Sequence, residues 1–148
     1  MSQTTIRPAQ AKDEPRWREL WAGYVKFYRA DVPEEATANT WKMILDSASK
    51  VHGLVAEREG QVIGICNYIF HDNTWSAKPI CYLEDLYVDP AARGTGAAKK
   101  LILACEEKAK EAGAFRIYWL TQEFNAPARS LYDTLASRSS LVVYRKNI

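Results

Sequence analysis

Only two histidines, His52 and His71, occur in the 148 residues, and they stand apart in the sequence. No CxxC or HExxH pattern is present, so the usual zinc-ligand spacings are missing and no metal site is expected. Cysteine is sparse too. Cys66, Cys81 and Cys105 are odd in number and widely spaced, each in an apolar neighbourhood. They read as reduced core thiols, not as a disulfide framework. No apolar run approaches the roughly 18 residues that span a bilayer. The opening "MSQTTIRPAQAKDEP" lacks the apolar centre of a signal peptide, so a cytoplasmic protein without a membrane partner is expected. An excess of one charge is missing as well. Twenty basic against 18 acidic residues leave a formal net charge of +2, which argues against nucleic-acid binding by bulk electrostatics. There is no repeat, low-complexity tract or interdomain linker, and residues 1–148 are expected to form one domain.

What is present favours a packed core: 47% of residues are hydrophobic, with five tryptophans among them. "TTIRPA" fits a short first strand. Trp17, Leu20, Trp21, Tyr24 and Tyr28 follow at helical spacing. "VPEEATANTWKMILDS" reads as a second helix, with Pro33 and two acids at its start. "VHGLVAERE" and "QVIGICNYIF" should pair as a hairpin around "GQ". "ICYLEDLYVD" is the central strand. A helix over residues 94–112 carries the apolar stripe Ala98, Leu101, Ile102, Cys105, Ala109 and Ala112, and Gly113 stops it. "FRIYWLTQ" is the next strand, "NAPARSLYDTLA" a helix capped by Asn125, and "LVVYRKN" a last strand. The order β-α-α-β-β-β-α-β-α-β describes a mixed α/β fold. The strands flanking the glycine-started helix should be parallel, joined by a right-handed crossover.

One stretch, "YLEDLYVDPAARGTGAAKKLI", breaks both patterns. Adjacent carboxylates, Glu84 and Asp85, interrupt the apolar strand, although burying an unpaired ionised carboxylate is very costly. One of them lining a wet cavity, to take up a proton or bind a cation, would explain the placement; an edge strand with solvated acids would do so equally. After the strand, "ARGTGAA" opens the helix. A helix start offers unpaired N–H groups and a positive dipole end. Gly94 and Gly96 allow close backbone approach, Arg93 can pair with phosphate in a bidentate manner, and Lys99 adds a point charge. A plain tight turn would use the same glycines. The dinucleotide pattern GxGxxG fails at Lys99, and the P-loop pattern fails as well.

The strand followed by "RGTGAA" resembles motif A of the GNAT superfamily of N-acetyltransferases, [QR]-x-x-G-x-[GA], through Arg93, Gly96 and Ala98. "YLEDLYV" resembles the fourth strand of spermidine/spermine acetyltransferases. "NAPARSLY" resembles the later segment N-x-x-A-x-x-L-Y, with Asn125, Ala128, Leu131 and Tyr132. The likeness extends over nearly the whole chain and looks closest to the branch acting on polyamines, histone tails or D-amino acids. One departure is Ala136-Ser137, where the family often has Gly-Phe.

The resemblance implies a largely antiparallel sheet, with strands 4 and 5 forming a parallel, splayed pair and helices on both faces. It implies acetyl-CoA as cofactor. The pyrophosphate would lie on Arg93, Gly94, Thr95, Gly96, Ala97, Ala98 and Lys99. The pantetheine arm would lie along Leu86, Tyr87 and Val88, with Asn125 contacting it. Glu84 would take the proton of the incoming amine, whose ordinary pKa of about 10.4 keeps it charged at neutral pH. Tyr132 would protonate the leaving thiolate; helical spacing alone would make it a core tyrosine beside Leu131 and Leu135. No covalent enzyme intermediate is required, so acetyl would pass directly within a ternary complex. Acceptor residues are expected at Trp21, Tyr24, Tyr28, Glu35 and Trp75, where acids near aromatics suit a cationic amine, although core aromatics and solvated acids would look the same. The partners implied are a small-molecule amine, polyamine or amino-acid-like, and a second copy of the chain in a homodimer. A protein or histone lysine acceptor, a non-catalytic CoA sensor and a nucleotide-phosphate binding module are the alternatives.

Overall fold

The computed structural model describes residues 3–148. Its strands are β1 (Thr5–Pro8), β2 (Val51–Arg58), β3 (Gln61–His71), β4 (Ile80–Val88) and β5 (Arg116–Tyr118). Its helices are α1 (Glu14–Phe27), α2 (Glu34–Leu45), α3 (Ala97–Glu111) and α4 (Ala126–Leu135). The strands lie in the order β1-β2-β3-β4-β5. All neighbours are antiparallel except β4 and β5, which are parallel and joined through α3.

Two apolar layers hold the sheet. On one face, the α3 stripe of Ala97, Leu101, Ile102, Cys105 and Ala109 packs on Leu54, Cys66, Tyr68, Cys81 and Leu83. On the other, Trp17 and Leu20 of α1 and Trp41 of α2 pack on Val55, Val62 and Ile65. The three cysteines are free and buried on the α3 side. Hydrogen bonding to a neighbouring thiol (Cys105 for Cys81, Cys66 for Cys105), and then burial, pushes Cys81 and Cys105 up, so neither is an activated nucleophile.

The hairpin turn falls on Glu59-Gly60, both at positive φ, one residue earlier than the sequence suggests. Helix α3 begins at Ala97 instead of residue 94, because Gly94 and Gly96 stand at φ 85° and 75°, outside the right-handed helical region. Strand β5 has three residues, fewer than "FRIYWLTQ" offers, since its pairing with β4 ends at Tyr82↔Tyr118. The expected last strand over "LVVYRKN" does not form. No strand among the described residues pairs with it, and Leu141, Val142, Val143 and Tyr144 are all at least 67% exposed. A strand without a partner leaves its backbone groups to water and has nothing to hold it extended.

Candidate active site

The carboxylates are placed by a fault in the sheet. Opposite β3, Asn67 pairs with Asp85 and Tyr68 pairs with Leu83, so Glu84 is an extra residue in β4. A bulge of this kind re-aims a side chain and shifts the alternation of faces beyond it. Cys81 and Leu83 before the bulge pack on the α3 side, as do Leu86 and Val88 after it, while Tyr87 joins the α1 side. A regular, unbulged strand through the same residues would reverse that parity.

The two acids consequently meet different surroundings. Asp85 is buried, accepting a 3.1 Å hydrogen bond from the Asn67 amide and another from the Tyr24 hydroxyl. Burial raises its carboxyl above the usual aspartate range, and the two hydrogen bonds pull it partly back. Asp85, which the sequence leaves without a proton-transfer role and as a hydrogen-bonded structural acid by default, has that place here as the anchor of Tyr24. Glu84 reaches solvent at the cleft mouth. The protein atoms around it still strip enough water to push its carboxyl above the usual glutamate range, and the Asp85 charge adds to the effect.

Glu84 lines a small cleft together with Tyr24, Tyr28, Leu83, Leu86, Ile102, Trp119, Leu120 and Tyr132. Four sequence candidates, Glu84, Tyr132, Tyr24 and Tyr28, thus come together from β4, α4 and α1. Tyr132 meets Trp119 edge-on, ring centroids 5.5 Å apart. Burial raises the Tyr132 phenol above its ordinary value, keeping the proton it would donate. Trp119 escaped the sequence reading; its only signal was "IYW" at the end of a strand.

The cleft continues along an open strand edge. Beyond Tyr82, β4 runs on to Val88 while β5 has ended, so β4 has no pairing on that side at Leu86, Tyr87 and Val88. Their other side pairs with Ile65, Gly64 and Cys66 of β3. At the end of β4, Asp89 accepts from Ala91 N–H at 2.9 Å and from Arg16 at 2.6 Å, which ties the turn to α1. Next comes the loop at residues 93–96, where Thr95 donates to the Ala92 carbonyl at 2.8 Å. Gly96 is the N-cap of α3, no side chain caps it, and a Cβ on Gly94 or Gly96 would meet nothing within 4 Å. A 15-residue helix therefore presents its first N–H groups to open space, beside the exposed Arg93 and Lys99. That is the donor set a pyrophosphate needs. Asn125 heads α4 without capping it, its amide 3.5 Å from the Thr121 hydroxyl.

The remaining candidates stand elsewhere. Trp21 stacks on Trp17 and donates to the Thr37 hydroxyl at 3.1 Å, bracing α1 against α2. Glu35 is exposed on the first turn of α2, and Trp75 is 88% exposed in the β3–β4 loop.

Comparison with known proteins matches residues 17–136 to a family described as the Acetyltransferase (GNAT) family. The sequence is 32% identical to D-amino-acid N-acetyltransferase HPA3 of Saccharomyces cerevisiae over 144 residues, 96% of this chain and 89% of the relative. It is 37% identical to thialysine N-epsilon-acetyltransferase of Sus scrofa over 95 residues, 59% of this chain and 55% of that one. The fold superposes on aminoglycoside acetyltransferase AAC(6')-Iy in complex with a bisubstrate analogue, with a TM-score of 0.83 and 23% identity over 99% of both chains.

Proposed function

From the premise that this chain belongs to the GNAT family and is an acetyl-CoA-dependent N-acetyltransferase, we propose how its own residues carry the transfer and which amine receives it. The acceptor is a small primary amine, polyamine or amino-acid-like. The observation that carries this reading is the meeting of Glu84 and Tyr132 in one cleft, at the mouth of the open β4 edge.

Bound acetyl-CoA supplies an acetyl thioester with a thiol leaving group. Arg93, Gly94, Thr95, Gly96, Ala97, Ala98 and Lys99 hold the pyrophosphate through helix N–H groups and two cationic side chains. Leu86, Tyr87 and Val88 offer the free strand edge to the amide-bearing arm, and Asn125 meets it from α4. A backbone N–H of that edge faces the acetyl oxygen and stabilises negative charge as it develops. Glu84 accepts the proton of the acceptor ammonium. The freed nitrogen attacks the acetyl carbonyl carbon, forming the C–N bond as the C–S bond breaks, and loses its second proton to solvent so that a neutral amide is left. Tyr132 gives its proton to the departing sulfur and recovers one from solvent. Transfer is direct, in keeping with three buried thiols that have no part in it.

Two further readings concern the whole molecule. Residues 1–148 act as one cytoplasmic domain; no helix among the described residues is long and apolar enough to cross a membrane. The exposed apolar segment over residues 141–144 pairs as a strand with a second copy, making a homodimer.

Arg93→Glu tests the cofactor assignment. It should weaken acetyl-CoA binding in calorimetry by about tenfold or more, the scale of a lost charge-assisted contact. Unchanged affinity would remove residues 93–99 from the pyrophosphate site.

A further inference from the structure

Next to Glu84, on the sheet face away from α3, lies an aromatic wall with no part in the steps above. Cys66, Tyr68 and Phe70 of β3 pack on the α3 side, as do Cys81 and Leu83 of β4 and Ile117 of β5. Alternation therefore puts Ile69, His71, Tyr82 and Tyr118 on the opposite face. Tyr82 pairs in register with Ile69 on one side and with Tyr118 on the other. The Tyr82 and Tyr118 rings stack with centroids 4.8 Å apart and planes within 14°. Both are part-buried, and both phenols lie within the field of Glu84.

His71 sets the polarity of this wall. Its Nδ1 lies 2.8 Å from the Asp72 carbonyl oxygen, which can only accept, so Nδ1 carries the ring proton. In the neutral ring Nε2 is then an acceptor, and it stands 3.0 Å from the Tyr118 hydroxyl. The phenol proton is committed to His71, and the Tyr118 oxygen keeps only lone pairs for a ligand. Burial raises both phenols, so they remain neutral acceptors and aromatic surfaces. The one cation on β5, Arg116, lies over the Phe115 ring at 5.1 Å. Glu84, Asp85 and two phenol oxygens make an environment for positive charge and N–H donors, and a poor one for a carboxylate.

Resting on Glu84 as the base, we propose that Tyr82, Tyr118 and His71 hold the non-reacting end of the acceptor, and that they favour amines carrying a second positive charge. Among the acceptors proposed above, this selects diamines and polyamines over simple amino carboxylates. Tyr82 and Tyr118 are specificity-determining residues in this scheme, and His71 is a positioning residue acting through Tyr118.

The test is steady-state kinetics with 1,4-diaminobutane and with butylamine, its singly charged counterpart, at saturating acetyl-CoA. Wild type should favour the diamine in kcat/KM. Tyr118→Ala should raise KM for the diamine about tenfold, the scale of a lost cation–π contact. It should change KM for butylamine far less and leave KM for acetyl-CoA unchanged. Tyr118→Phe keeps the stack and removes only the hydroxyl; it should produce a smaller loss in the same direction, which guards against a folding defect in the alanine variant. Wild-type turnover without preference for the diamine, or equal losses for both amines, overturns the wall's role and leaves Glu84 as base intact. Absence of turnover with every amine instead removes the acetyl-transfer scheme, and the acceptor wall with it.

Discussion

At the scale of single residues, the site depends on one inserted amino acid. If β4 ran as a regular strand through Glu84, then Asp85 and Tyr87 would face α3, and a carboxylate would be buried in the apolar α3 layer. The bulge instead gives Asp85 two hydrogen-bond donors and leaves Glu84 at the cleft mouth. As the proposed base, Glu84 must be unprotonated to accept a proton, and its carboxyl sits above the ordinary glutamate range. The sign follows: kcat/KM falls as pH drops through that raised value, so the acidic limb lies higher than a free glutamate would place it. Glu84→Gln should abolish this limb and lower kcat/KM by about a hundredfold. An acidic limb that survives the substitution would assign the proton transfer to another group. The anomaly of two acids in an apolar strand was legible in the sequence, as was the pairing of Glu84 with Tyr132 through the family resemblance. The bulge was not, because β-strand alternation predicts opposite faces for neighbours and register appears only when β3 is in place. Trp21 and Trp75 entered the acceptor set because they lie on the first two helices and the loop before the fourth strand, where the family resemblance puts acceptor entry, among acids and aromatics. One of them braces α1 on α2, and the other stands in solvent.

At the scale of elements, the face proposed for the cofactor is built by close approach of α1 and α3 to the sheet. A Cβ on Gly23 of α1 would lie 2.7 Å from the Tyr87 hydroxyl oxygen and 2.9 Å from its Cζ. Alanine gains about 0.5–1 kcal/mol over glycine in a helix interior, but overpacking costs about 1–3 kcal/mol. Overpacking wins, so Gly23→Ala should lower stability in urea titration and displace Tyr87 from the strand edge proposed to meet the cofactor. A gain in stability would mean that Tyr87 swings aside freely. The Arg16–Asp89 pair links the same helix to the turn before α3. Asp89 is held below the usual carboxylate range, first by the Ala91 N–H and then by Arg16. Its contribution to stability is present above the unfolded value of about 3.9 and is lost as pH falls through the lowered one. Helix periodicity and glycine punctuation made α1, α2, α3 and the parallel crossover readable in advance. The strand assigned to "LVVYRKN" was not so secure, because β-propensity records side-chain fitness for a sheet and says nothing about whether an edge is available.

At the scale of the molecule, that unpaired segment bears on assembly. Leu141, Val142, Val143 and Tyr144 are far more exposed than such residues usually are in a monomer. If they join a second copy, light scattering should give twice the 16.8 kDa chain mass, and Val142→Glu with Tyr144→Glu should shift the protein to the monomer. A monomeric wild type would contradict the homodimer. The proposed chemistry rests on Glu84, Tyr132 and the uncapped start of α3 acting together on one acetyl group. The most direct measurement is release of CoA from acetyl-CoA, followed with a panel of small amines and paired with mass spectrometry of the products. Wild type should release one CoA for each N-acetylated amine. Tyr132→Phe should lower kcat by about a hundredfold while leaving acetyl-CoA affinity within a few-fold. A wild-type protein that binds acetyl-CoA yet releases no CoA with any amine, small or peptidyl, would contradict catalysis and mark the chain as a sensor of the cofactor.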